Sequence, residues 1–220
     1  MSQTLKASAD ERFVIHGVDW ATYEKFLDAV GERHVFLTYD GDSLEFRSPV
    51  LQREVFSIWL TLLIRLLAEH INLPIRCIGS ATLKNAAVRR GLEPHSAFYV
   101  QSVEAILGRM DLDLRRDPPP DLVVEVDLSD SRLDRQRIFG RLGVPELWKF
   151  NGETLRVYCL GLRNVYQLQE RSPTFPGLNL IAVPALFSEF NGRDDTANLR
   201  ALRRWIRKHV VARKRTTVGR

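Results

Sequence analysis

Hydrophobic and polar positions alternate most strictly between Asp121 and Leu128. Leu122, Val124, Val126 and Leu128 share one face, which is wholly apolar. Asp121, Val123, Glu125 and Asp127 share the other. The pattern predicts a strand that buries one face and sets carboxylates about 7 Å apart along the opposite one. Like charges that close repel on a half-buried sheet. A solvent cleft, an arginine or a divalent metal has to offset them. The metal option points to hydrolysis of phosphate esters.

The same reading predicts the neighbouring elements. Val35–Tyr39 and Ser43–Arg47 flank Asp40-Gly41-Asp42 and read as a hairpin. From Leu51 to His70 the apolar residues cover more than one face, which predicts a central buried helix. Ile75–Gly79, Thr82–Lys84 and Ala97–Gln101 read as short strands, Ala87–Gly91 as a basic turn and Gly108–Asp117 as a polar loop. Pro118–Pro120 forces an extended entry into the acidic strand. Ser129 or Asp130 is placed to cap a helix running to Leu142, and Gly143 fits its left-handed C-cap. Glu146–Asn151 and Thr154–Leu160 form a second hairpin over Asn151-Gly152, and Val165–Gln169 adds a strand. Pro184–Phe190 reads as a short helix. Ala197–Val211 reads as an amphipathic one with Leu199, Leu202, Trp205, Ile206 and Val210 inward. The sum is one mixed sheet flanked by helices, of α/β (α+β) class, with a C-terminal helix.

Length and composition narrow this. At 220 residues with 45% hydrophobic positions, the chain is expected to fold as one domain with a full core. The expected division is a disordered start over 1–12, a main domain over 13–192, and a basic helix and tail over 193–220. Met1–Arg12 is polar and has no signal-peptide core. The longest apolar run, Ile58–Ala68, contains Arg65 and is too short to span a bilayer. The two cysteines, Cys77 and Cys159, fit no metal spacing and read as core thiols, which points to a cytoplasmic protein. Net charge is +5, unevenly placed. From Arg203 onward the chain carries eight bases and no acid, so 24 of the 32 Lys and Arg remain against 27 Asp and Glu. Such a tail suits a phosphate backbone or is simply solvated.

Arg135, Phe139 and Leu142 fall at i, i+4 and i+7 of the helix after the acidic strand. If Phe139 and Leu142 face the core, Arg135 points back at the acidic face. It is then either a structural counter-ion of Glu125 or a clamp on a phosphate. Lys84, Arg89 and Arg90, together with Arg207 and Lys208 of the last helix, are candidates to contact nucleic acid. The four tryptophans read as core. There is no glycine-rich phosphate loop, no Gly-x-Ser-x-Gly and no zinc spacing.

Several spaced segments resemble one family. They are LTYDGDSLEFRSP, LPIRCIGSATL, RGLEPHSAFYVQ, PPPDLVVEVDLSDSRLD, LGVPELWKFNGETLRVYCL and ERSPTFPGLNL, in that order over residues 35–182. They resemble the bacterial Uma-type restriction endonucleases, with a PD-(D/E)XK nuclease-like core. The resemblance implies a restriction-endonuclease-like fold and cleavage of DNA with Mg²⁺ or Mn²⁺ held by acids. Glu125 then matches the central acid, Asp121 the acid of the upstream Pro-Asp pair, and Glu45 a helper acid. Two positions depart. The family's Glu-Pro-Asp reads Glu93-Pro94-His95 here, and its helix lysine falls on Arg135. Glu93 and Asp127 are the candidates to complete a metal site around Glu125 and His95. Arginine cannot act as a base, although it can position a phosphate. A second reading therefore stays open, a degenerate nuclease fold that binds nucleic acid or a protein partner without cutting. An unrelated metal hydrolase is a third. No membrane partner is expected. A homodimer would serve to cut both strands of a duplex.

Overall fold

The computed structural model describes residues 11–31, 33, 35–128 and 132–210. In chain order these form β1 (Arg12–Ile15), α1 (Trp20–Val30), β2 (Phe36–Tyr39), β3 (Leu44–Arg47) and α2 (Leu51–His70). Next come β4 (Arg76–Gly79), β5 (Leu83–Asn85), β6 (Arg90–Leu92), β7 (Ser96–Tyr99) and β8 (Leu122–Val126). Then follow α3 (Arg135–Leu142), β9 (Glu146–Phe150), β10 (Leu155–Leu160), β11 (Tyr166–Gln169), α4 (Ala182–Ser188) and α5 (Asp195–His209).

The strands divide between two sheets rather than the one expected. A five-stranded antiparallel sheet has the order β1-β3-β2-β6-β5, and a six-stranded one has β11-β10-β9-β8-β7-β4. Only the second is mixed, because β8 and β9 run parallel and are joined through α3. The chain crosses between the sheets three times, through α2 from β3 to β4, from β4 back to β5, and again through Glu93-Pro94-His95 from β6 to β7. The reading missed β1, α1 and β6. The two strands are only four and three residues long and each carries an arginine, too little for a period-2 signal to stand out.

The acidic strand alternates as its sequence dictates. Leu122, Val124 and Val126 enter a core shared with Leu60, Leu63, Ile64 and Leu67 of α2, while Val123 enters a second core with Phe139 and Leu142 of α3. The four α2 residues lie at i, i+3, i+4 and i+7, and burying each contributes roughly 1.5–3 kcal/mol. Helix α2 is less buried than expected at its start, where Leu51 and Ile58 are exposed. Ala201, Leu202 and Ile206 of α5 join the α2 core, and His70 holds the end of α5 through the Val210 carbonyl at 2.8 Å. On the five-stranded sheet, Tyr23 of α1 stacks on Tyr39 with ring centroids 4.8 Å apart.

Helix α3 begins later than expected. Ser129 and Asp130 lie outside the described residues. The cap is Asp134, whose side chain accepts from Arg137 N–H at 2.9 Å. Its end is as expected, with Gly143 left-handed at φ 81°. With only eight residues, α3 covers just part of the sheet face beneath it. Arg12, which the sequence reading left in a disordered start, pairs in register with Arg47. Residues 1–10 and 211–220 lie outside the description.

Candidate functional site

The end of β8 that emerges from under α3 carries Glu125. The residue is 5% exposed, and both of its oxygens are engaged by Arg135. Arg135 Nε donates to Oε2 at 2.8 Å and Nη2 to Oε1 at 3.0 Å, a two-pronged fork. The same guanidinium donates to Thr38 Oγ1 on β2 and, at 2.7 Å, to the Glu93 carbonyl. One side chain therefore ties both sheets to Glu125. Burial by itself would raise the Glu125 carboxyl. Arg135 and His95 outweigh that and hold it well below the usual carboxylate range. Burial likewise lowers Arg135, and the charge of Glu125 more than restores it.

His95 lies on the other side of Glu125, with Nδ1 3.6 Å from Oε2. Arg47 Nη1 sits 2.9 Å from Nε2, and the Val126 N–H points at Nδ1 from 3.2 Å. Burial lowers the imidazole to about 4, against the pull of Glu125, so the ring is neutral at pH 7. A neutral ring has one acceptor nitrogen, and two donors compete for it. No lone pair is left for a metal. Arg47 is itself 4% exposed, lowered to about 10 by burial and then by Arg135, with Nε and Nη2 unpartnered. Arg53 Nε donates to the Val126 carbonyl at 3.1 Å, so three arginines close around one strand end.

The remaining candidate acids turn elsewhere. Glu93 points into the five-stranded sheet. Its Oε2 accepts from Leu37 N–H at 2.7 Å and its Oε1 from Thr82 at 3.1 Å. Pro94 and the crossing between sheets separate it from His95, so the two do not share a face. Glu93 is raised by burial, which its two hydrogen bonds only partly oppose. Glu45 is buried and accepts from Arg132 N–H at 3.1 Å, with Arg12 at 3.9 Å. Asp121 accepts from the Val100 and Ser102 amides at 2.7 and 2.9 Å and so shapes the loop after β7. Asp127 pairs with Lys149 at 3.2 Å. Among the described residues no three His, Cys, Asp or Glu converge to hold a metal ion. These donors do not fit Mg²⁺, which needs free oxygen ligands in octahedral array. They fit Mn²⁺ no better.

Lys149 was missed by sequence reasoning. It pairs in register with Glu125 across parallel strands, and Arg156 pairs with Lys149 on its far side. A polar residue in the middle of LWKF was the available signal. Glu125, Asp127, Asp134, Arg135 and Lys149 line a cleft of about 290 Å³. The five basic candidates are dispersed. Lys84 pairs with Glu24 at 3.0 Å, while Arg89 donates to the Gly41 carbonyl at 2.9 Å and Arg90 to that of Arg89 at 2.8 Å. Arg207 and Lys208 stand exposed on α5.

A mixed sheet thus carries a glutamate on its central strand that is answered by a guanidinium from the helix that follows. The chain belongs to the Uma2 family, described as "Putative restriction endonuclease", whose model matches residues 20–200. A similar solved structure is that of a putative nuclease belonging to DUF820 from Anabaena variabilis ATCC 29413. It is 12% identical, with a TM-score of 0.47, over 86% of this chain and 99% of that one. No curated protein matches the sequence. Among the described residues no helix is long and apolar enough to cross a membrane.

Proposed function

We propose that this member of the family binds nucleic acid through a nuclease fold and does not cleave it by a metal-dependent route. The observation that carries the reading is the fork of Arg135 on Glu125. A carboxylate whose two oxygens both accept from a buried guanidinium already has its counter-charge, and nothing draws a divalent ion to it. A fixed cation then does structurally what a metal would do electrostatically, with no bound water to activate.

Family membership and the cleft beside Glu125 and Asp127 favour a second reading, hydrolysis of DNA phosphodiester bonds with Mg²⁺ or Mn²⁺. Binding of a labelled oligonucleotide, measured in EDTA and again in Mn²⁺, separates the two. Equal affinity is expected. Binding that appears only with the metal would reject the first reading.

A further inference from the structure

Three cavities with shared lining residues follow one another from the β9–β10 hairpin past Glu125 to the outer side of α3. The first, about 440 Å³, lies over the β9–β10 hairpin and includes Asp127, Lys149, Thr154, Arg156 and Tyr158. It shares Asp127 and Lys149 with the cleft beside Glu125. That cleft shares Asp134 and Gln136 with a third cavity of about 460 Å³, lined by Arg137, Arg141, Arg163 and Tyr166. Together they make one groove past the site.

The bases at its far end are not consumed by the fold. Arg137, Arg141, Arg156 and Arg163 are exposed, and among the described residues none has an ion pair. Arg90 lies close enough to Arg137 and Arg141 to feel their charge. Three of them, Arg137, Arg141 and Arg163, line one cavity with a single acid, the capping Asp134, an excess of positive charge that suits an anion.

Their placement is also enforced. Arg163 and Asn164 are both left-handed at φ 59°, a conformation that costs non-glycine residues on the order of 1 kcal/mol each. The turn is pressed against α3 at Gly140, where a Cβ would fall 2.6 Å from the Asn164 carbonyl. A strained turn clamped to a bare helix position sets Arg163 beside Arg141.

We infer that this groove holds one phosphodiester strand, with Arg137, Arg141 and Arg163 on its phosphates and Arg156 at the opposite end. The inference rests on the functional reading above and locates it.

The test is fluorescence anisotropy of a labelled single-stranded 20-mer against the full chain, titrated over salt. The variant Arg137→Gln/Arg141→Gln/Arg163→Gln is compared with Arg200→Gln/Arg203→Gln/Arg204→Gln, which loses the same charge from exposed positions of α5. The groove variant is expected to bind roughly a hundredfold more weakly at 0.1 M salt, with a salt slope shallower by about two. The α5 variant is expected to stay within a few-fold of the natural chain. Equal losses in both variants, or none in the groove variant, would overturn the inference while leaving nucleic-acid binding standing. A natural chain that binds no strand would overturn the functional reading and this one with it.

Discussion

Replacing Arg135 by methionine is the sharpest perturbation of the site. Methionine keeps most of the side-chain volume and removes the charge. It takes away both bonds to Glu125, the bond to Thr38 and the bond to the Glu93 carbonyl. Glu125 is left 95% buried with only a neutral histidine beside it. Stranding one member of a buried ion pair costs about 3–5 kcal/mol. That is a large share of the roughly 5–15 kcal/mol that holds a domain folded. At about 2–4 °C per kcal/mol for a chain of this size, Tm falls by roughly 6–20 °C. The assay is a double-mutant cycle by thermal and urea unfolding. Arg135→Met and Glu125→Leu are each costly, whereas the double variant recovers most of the loss, because replacing both members of a buried pair is close to neutral. An Arg135→Met variant that loses less than about 1 kcal/mol, or a double variant equal to the sum of the singles, would refute the buried Arg135–Glu125 pair.

Other outcomes follow from the same geometry. His95 is held to about 4 in the fold, below 6.5 in the unfolded chain, with Glu125, Arg47 and Arg135 facing it. The unfolded state therefore takes the proton first. The histidine's share of stability is complete above pH 6.5 and is lost between there and about pH 4, a span worth about 3 kcal/mol. A His95→Gln variant that shows the same slope over that window would reject the assignment. Gly140→Ala brings a methyl against the Asn164 carbonyl and is expected to destabilise by about 1–3 kcal/mol; an unchanged Tm would mean that the turn is not clamped. His95→Asp alone leaves Arg135 on Glu125 and is expected to give no heat with Mn²⁺. Combined with Arg135→Lys, which cannot form the fork, it is expected to give one. Heat from the single variant would show that the fork does not exclude metal.

Much of this was legible in the sequence. The period-2 pattern around Glu125 announced the strand, its buried face and the need for a counter-charge. The i, i+4, i+7 spacing of Arg135, Phe139 and Leu142 aimed the guanidinium correctly, and the spaced motifs gave the family. Other features depend on contacts that local pattern does not carry. Glu93 and His95 lie two residues apart, yet they serve different sheets, because the chain crosses over at Pro94. The sequence shows the spacing and not the crossing. Arg47 and Arg53 lie far from Glu125 in the chain, and only the packing of β3 and α2 brings them to the strand end. Lys149 was hidden by its own hairpin, where a lone polar residue reads as surface.

The central claim is that an arginine closes this site in place of a metal. The direct measurement is nicking of supercoiled DNA in Mn²⁺ by folded protein, beside a Glu125→Gln control. No nicking by either is the result expected. Nicking by the natural chain that the Glu125→Gln protein lacks would contradict the account and make Glu125 the centre of a working nuclease.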